Sequence, residues 1–269
     1  MKNLKKILVS FFSVLVLILF ASGCSDSDDN TSGTSRIKVS VTDNPGDYEE
    51  VNIEILDVKI KNSNGTDENG WVSIGIINPG IYNLLELTGG VIAPLSDSEI
   101  PSGFLGQIRL ILGENNTVVK DGITYPLNTP SAQQSGLKLL VNQTLEPNFT
   151  YDFLIDFDVN RSIVVQAGGS GIFNLNPVLR ISSLVNSGSI SGMVISDGFQ
   201  VSASVMVGNV EVSALTNSEG IFHLHGIPAG TYTLTLTPDP DSMLNPLIIE
   251  NVVVVNGVNT DTGTSTLTN

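Results

Sequence analysis

Aspartates gather on one face of a strand that the sequence predicts at residues 150–159. Odd-numbered positions there are apolar, so the even-numbered Asp152, Asp156 and Asp158 share the opposite face. Asp43, at the end of an earlier alternating strand, is placed to join two of them. Such close carboxylates repel one another unless a cation or a basic residue intervenes, and Ca²⁺ prefers oxygen ligands. Asp43, Asp156 and Asp158 are therefore candidate calcium ligands.

The same aspartate face has other interpretations. Arg109, Arg161 or Arg180 could neutralise it, or water could cover it, because antiparallel sheets commonly expose one polar side. We expect the hydrated face, and with it no specific stabilisation by calcium. Catalysis by paired acids would need a cleft and separated pKa values. A metal-assisted hydrolase or accessory subunit that uses Asp156 and Asp158 is therefore the alternative function.

The chain has two histidines, His223 and His225, whose spacing places both on one face of a strand. No nearby acid or cysteine completes a metal site, and Phe222 and Leu224 would take the inward face. We therefore expect both histidines to point outward at a sheet edge. Motifs for a nucleophile or a phosphate-binding loop are missing from the sequence. We predict no catalytic residue, no cofactor and no enzymatic activity.

Cys24 is the only cysteine, so no disulfide can form within the chain. Before it come three lysines and an uncharged apolar run at 7–20, the layout of a signal peptide and too short to span a bilayer comfortably. The small residues at 21–23, followed by Cys24, resemble the bacterial lipobox, in which the cysteine sulfur is lipidated. This resemblance implies a signal peptide at 1–23, a lipid on Cys24 and an exported protein anchored in a membrane.

Residues 24–35 contain the lipidated cysteine and a polar tether without a hydrophobic residue, which we expect to be disordered. Its aspartates resemble the export tags of lipoproteins sent to the outer face of the outer membrane. Without residues 1–23 the chain keeps 9 basic and 27 acidic residues, a formal net charge of −18. Such a surface repels nucleic acid. The expected partners are the membrane, through the lipid on Cys24, and a glycan or an envelope protein.

Short apolar runs, broken by glycine, proline and asparagine, predict an all-β fold. In the strand at 51–61 the apolar positions change parity midway, which predicts a β-bulge near Ile55–Leu56. Residues 82–87 have helical spacing but are followed by Gly89 and Gly90, so at most one helical turn is expected. Small polar residues at 186–192 mark a boundary. The prediction is two β-sandwich domains in tandem, at 36–185 and 187–269, after the signal peptide and tether.

The motifs RIKVSVTDNP (36–45), VNIEILDV (51–58), GQIRL (106–110), DFDVNRSIV (156–164) and NPVLR (176–180) occur in this order. Together they resemble domain-of-unknown-function family 4382, which occurs in bacterial lipoproteins, over residues 36–183. The resemblance implies an all-β domain and no biochemical activity.

The motifs TNSEGIF (216–222) and GIPAGTY (226–232), with ASV at 203–205, resemble the carboxypeptidase regulatory-like domain over residues 188–267. That resemblance implies a transthyretin-like sandwich, grouped with carbohydrate-binding-like folds. The combined expectation is an envelope or cell-surface lipoprotein, in the outer membrane on its periplasmic or outer face. It would act as a non-catalytic binding, adhesion or structural module, with carbohydrate as one expected ligand.

Overall fold

Strands dominate the computed structural model, which describes residues 33–44, 48–88, 90–129, 135–166 and 171–269. The predicted signal peptide, Cys24 and most of the predicted tether lie outside these residues. Within the described part of the chain, no helix is long and apolar enough to cross a membrane. The all-β prediction is confirmed, since four sheets enclose two separate hydrophobic cores.

The first sandwich contains the strands up to Ser183. They are β1 (Thr34–Asn44), β2 (Glu50–Lys61), β3 (Val72–Ser73), β4 (Gly80–Asn83), β5 (Ala93–Pro101), β6 (Gly103–Leu112), β7 (Thr117–Lys120), β8 (Ile123–Asn128), β9 (Leu137–Leu145), β10 (Thr150–Asp158), β11 (Ile163–Val165), β12 (Phe173–Leu175) and β13 (Leu179–Ser183). A 3-10 turn at Leu84–Leu87 and a four-residue α-helix, α1 (Val159–Ser162), interrupt them. The turn confirms the single helical turn predicted at 82–87.

These strands form two sheets. One has the order β13-β10-β1-β5, in which β1 and β10 run parallel. The other has the order β11-β12-β8-β7-β2-β6-β9, with β3 and β4 also paired to β2. Their facing residues form one core, because the apolar positions of β1, β2, β6 and β10 all point between the sheets.

The bulge predicted in β2 is confirmed. Pairing with β6 shifts register between Ile55 and Asp57, so Leu56 is the extra residue and is exposed. Ile55 and Val58 therefore both reach the core, although they have opposite parity. β3 is short, since only Val72 and Ser73 pair with β2.

The second sandwich contains β14 (Ser187–Ile195), β15 (Val201–Val207), β16 (Val210–Leu215), β17 (Ile221–Pro228), β18 (Gly230–Pro238), β19 (Leu247–Val254) and β20 (Asn259–Thr266). Its sheets have the orders β17-β14-β20 and β16-β15-β18-β19. Ile190, Phe222, Leu224, Leu234 and Leu236 are among the buried residues of its core.

The chain passes from one sandwich to the other without a linker. A 3-10 turn at Leu184–Asn186 follows β13 directly, and β14 begins at Ser187. Residues 186–192, predicted as a polar boundary, are therefore mostly strand, and Ile190 is fully buried. Both sandwiches belong to one compact unit, Gly33–Asn269.

Candidate functional site

Asp43, Asp156 and Asp158, the three candidate calcium ligands, are not arranged as a metal site in the described part of the chain. In the β1–β10 register Asp43 is level with Phe157, whereas Thr42 is level with Asp156. Successive residues leave a sheet on opposite sides, so the strand register does not place Asp43 beside Asp156 on one face, although both residues line the same small gap. Asp158 caps α1, where its Oδ1 accepts the backbone N–H of Arg161 at 2.9 Å. Among the described residues no group of three or more His, Cys, Asp or Glu is arranged to hold a metal ion.

Asp156 lies at the interface between the two sandwiches. We call this contact the joint; it is formed by Gly90, Asp156 and Arg180 of the first sandwich and by His223, His225 and Gly226 of the second. The expectation of a hydrated face is wrong for Asp156. Its Oδ2 is 2.9 Å from Nη2 of Arg180 on the neighbouring strand β13. The same guanidinium reaches the second sandwich, where Nη2 donates to the carbonyl of His225 and Nη1 to that of Gly226. Of the three arginines considered from the sequence, Arg180 is the one that neutralises Asp156.

The two histidines point away from the core on the edge strand β17, as predicted, but they line the other side of this joint and are therefore half-buried. Their rings stack with centroids 4.1 Å apart and an interplanar angle of 16°. Nε2 of His225 lies 3.2 Å from the carbonyl oxygen of Gly90 in the first sandwich, so it is the donor. Nε2 of His223 is buried and has no hydrogen-bond partner among the described residues. Phe222 and Leu224 fill the core as predicted.

Glycines allow the two sandwiches to approach closely at the joint. Gly90 has a φ of +95°, and a Cβ there would lie 2.5 Å from Cβ of His223. Gly226 has a φ of +65°, and a Cβ there would collide with the side chain of Ser182. The gap that remains beside Thr42, Asp156 and the histidines is about 10 Å³, at the lower limit for one water molecule.

Burial in the joint shifts the protonation of its side chains. Desolvation lowers the pKa of His223 to about 4, and the neighbouring His225 contributes to this shift. The pKa of His225 is also lowered by burial, against the hydrogen bond to Gly90. Burial raises the pKa of Asp156 above its usual range, while Arg180 opposes the rise. Neutral histidines beside an Arg–Asp pair are therefore the form that the closed joint favours.

A separate cleft of about 580 Å³ lies at one end of the second sandwich, between the end of β14 and the loops at 196–200 and 216–220. Its apolar lining includes the exposed side chains of Met193, Ile195 and Phe199. Its polar lining includes Asp197, Gln200, Ser218 and Glu219.

Local hydrogen bonds hold both loops of the cleft in shape. Oδ1 of Asn217 accepts the backbone N–H groups of Glu219 and Ile221, and the Ser196 hydroxyl donates to the carbonyl of Phe199. The cleft is therefore preformed and combines one aromatic ring with several polar groups, as small-molecule binding sites commonly do. The sequence analysis did not select these residues, although a Phe between turn residues 196–198 and Gln200 was a visible signal.

The two sandwiches differ in their charged residues. Residues 187–269 contain seven acidic residues and no lysine or arginine. Asp197 and Glu219 at the cleft are two of the seven, so neither has a basic neighbour within its own sandwich. The cationic group that reaches this sandwich at the joint is Arg180 of the first.

The two sandwiches place the protein in the class of tandem all-β proteins. Residues 34–177, more than half of the chain, match the family model described as domain of unknown function DUF4382. The chain therefore belongs to that family, as the motifs at 36–183 predicted. No curated protein sequence matches this chain.

Several solved structures resemble the chain weakly. A type II cohesin–X-dockerin complex mutant from Acetivibrio cellulolyticus is 22% identical, with a TM-score of 0.25 and coverage of 30% of this chain and 56% of that one. The Bacillus anthracis TIE protein is 12% identical, with a TM-score of 0.23 and coverage of 88% and 34%. The major pilin subunit BcpA of Bacillus cereus is 12% identical, with a TM-score of 0.22 and coverage of 87% and 70%. The matched region thus spans 56% of the chain from the cohesin–X-dockerin complex and 34% of the TIE chain.

Proposed function

We propose that the protein is a lipid-anchored module of the bacterial cell envelope that binds a glycan without catalysis. The signal-peptide layout and the lipobox-like residues before Cys24 support the anchor. The resemblance of residues 188–267 to the carboxypeptidase regulatory-like domain supports a carbohydrate-binding-like fold for the second sandwich. Neither the signal peptide nor Cys24 lies within the described residues.

The observation that carries the proposed binding is the cleft around Phe199. A ring 39% exposed at a cleft wall offers an apolar face on which the C–H face of a sugar can stack. Carboxylate, amide and hydroxyl groups from Asp197, Glu219, Gln200 and Ser218 surround it and can bond sugar hydroxyls. Asp156, one of the two carboxylates that a metal-assisted hydrolase would use, is paired with Arg180 instead, which favours the non-catalytic proposal.

Binding is tested with the soluble mature chain, beginning at Ser25, against a panel of purified neutral and acidic polysaccharides. We expect one class to bind, and Phe199→Ala to weaken that binding at least about tenfold, equivalent to about 1.4 kcal/mol. Phe149→Ala is the matched control, because Phe149 is an exposed phenylalanine of the first sandwich. No binding to any polysaccharide, or equal loss in both variants, would contradict the proposal.

The anchor is tested separately by Cys24→Ser in the full chain. Radiolabelled palmitate should enter the parent protein and not the variant, because only the thiol accepts the lipid. Equal label in both proteins would rule out lipidation at Cys24.

A further inference from the structure

The joint between the sandwiches brings together titratable groups from distant parts of the chain. His223 and His225 of β17 face Thr42 and Asp43 at the end of β1 and Asp156 of β10 across a gap of about 10 Å³. Arg180 of β13 touches the backbone of the same histidine strand. Asp158, another acid of this strand face, interacts electrostatically with Arg161 of α1 and Glu211 of β16.

We propose that this joint is an acid-sensitive contact, which opens when His223 and His225 become protonated. The rings are only 4.1 Å apart, so two protons would place two like charges in direct stacking contact. Arg180, already bonded to the carbonyl of His225, adds a third positive charge. The gap holds one water molecule at most, too little to hydrate these charges.

Protonation would give His223 and His225 new N–H groups, which their present hydrogen bonds do not satisfy. Nε2 of His225 already donates to Gly90, so its new proton would be on Nδ1. Nε2 of His223 is buried without a partner among the described residues, and protonation of that ring leaves two N–H groups to satisfy. Asp43 and Asp156 are the carboxylates beside the gap, and Asp156, the one that acts on His225, is already bonded to Arg180. Opening the joint would return both imidazoliums to water.

The direction of the pH dependence follows from linkage. The closed joint holds the pKa of His223 at about 4, against about 6.5 in the unfolded chain, so the unfolded chain binds more protons in that window. The stability of the joint is complete above about pH 6.5 and is lost as the pH falls toward 4. The contribution of Asp156 to this pH dependence has the opposite sign, because its raised pKa lets the closed joint take up a proton more readily.

The test measures the distance between the sandwiches. The mature chain without Cys24 contains no cysteine, so Asn64→Cys and Asn256→Cys give one exposed spin label on each sandwich. We expect a narrow distance distribution at pH 7.5 and a broader, longer one at pH 4.5. The same pair of labels in His223→Gln/His225→Gln should keep the narrow distribution at both values, because glutamine takes up no proton. An unchanged distribution in the parent chain, or equal broadening in the variant, would overturn the proposal.

A second measurement uses the native histidines and needs no substitution. NMR titration of the mature chain should show that both rings take up protons below pH 6.5, over the same pH interval in which the labelled chain opens. Two histidines that titrate at the usual value with no structural change would also overturn it. Glycan binding at the Phe199 cleft is a separate readout, so either proposal can fail alone.

Discussion

At the scale of single residues, Arg180 makes the contact that both sandwiches share. It pairs with Asp156 and bonds two carbonyl groups of β17, all with its guanidinium. Removing it would leave a buried carboxylate and two buried acceptors without their donor, which costs more than the pair itself contributes. A surface pair of the same kind, Arg161 with Asp158 at 3.7 Å, has an arginine side chain that is 61% exposed.

We predict that Arg180→Met lowers the free energy of unfolding by about 3 kcal/mol. Arg161→Met is the matched control and should cost less than about 1 kcal/mol, because exposed pairs contribute little. Denaturant unfolding of the mature chain measures both. Arg180→Met/Asp156→Leu should recover most of the loss, since it removes the buried charge with its partner. Equal effects of the two single arginine substitutions would contradict a shared buried contact.

Calcium should not stabilise the aspartate face. Asp156 is neutralised by Arg180, and Asp158 is engaged at the N-terminus of α1, so neither needs a cation. The melting temperature of the mature chain is therefore expected to be the same in EDTA and in calcium, after correction with matched sodium chloride. A rise specific to calcium that Asp156→Asn abolishes would show that this face binds the ion.

At the scale of elements, the loop at 62–70 is fixed to the outer face of β2, β6 and β9. Nζ of Lys61 donates to the carbonyls of Gly65 and Asp67, and Glu68 accepts from Arg109 and Lys138. The guanidinium of Arg109 lies 3.9 Å from the ring centre of Trp71. The loop thus neutralises basic side chains that stand side by side on neighbouring strands.

Arg109→Met should loosen this loop and cost about 2 kcal/mol of unfolding free energy, because a charged hydrogen bond is lost from a buried side chain. Trp71 is the only tryptophan, so its fluorescence emission should shift in the same variant. Lys138→Met removes the other partner of Glu68 but is more exposed, and should cost less than about 1 kcal/mol. An unchanged Trp71 emission in Arg109→Met would show that the loop does not depend on this stack.

What the sequence could predict among the elements depended on local patterns. The bulge at Leu56 was predictable because apolar parity changes within one strand. The strand β5 was missed, since Pro94, Asp97 and Glu99 interrupt its alternation and its two fully buried core residues, Leu95 and Ile100, differ in parity. The burial of the histidines could not be predicted, because it depends on Gly90, which lies far away in the sequence.

At the scale of the whole molecule, two separate cores meet at a mainly polar joint. Each core is filled by its own strands, and the joint adds hydrogen bonds and an ion pair rather than a third apolar cluster. This organisation is what independent folding requires, although the turn at Leu184–Asn186 leaves no flexible spacer.

We predict that fragments 36–185 and 187–269 each unfold cooperatively. The reason is that neither core takes buried residues from the other sandwich. Thermal and denaturant unfolding, followed by two spectroscopic probes, should give coincident transitions for each fragment. A fragment 187–269 that is insoluble or lacks cooperative unfolding would mean that the second sandwich requires the first.

The parallel pairing of β1 with β10 has a mechanical consequence for a chain held at its N-terminus. The chain enters the first sandwich at the start of β1 and leaves it through β13, which runs antiparallel to β10 and so ends toward the same side. A pulling force applied between the N-terminus and the second sandwich would therefore load this sheet from one side. Its backbone hydrogen bonds lie across the strands and would break in succession, beginning beside Thr34 and Ser183. Under tension the first sandwich should yield gradually, by unzipping.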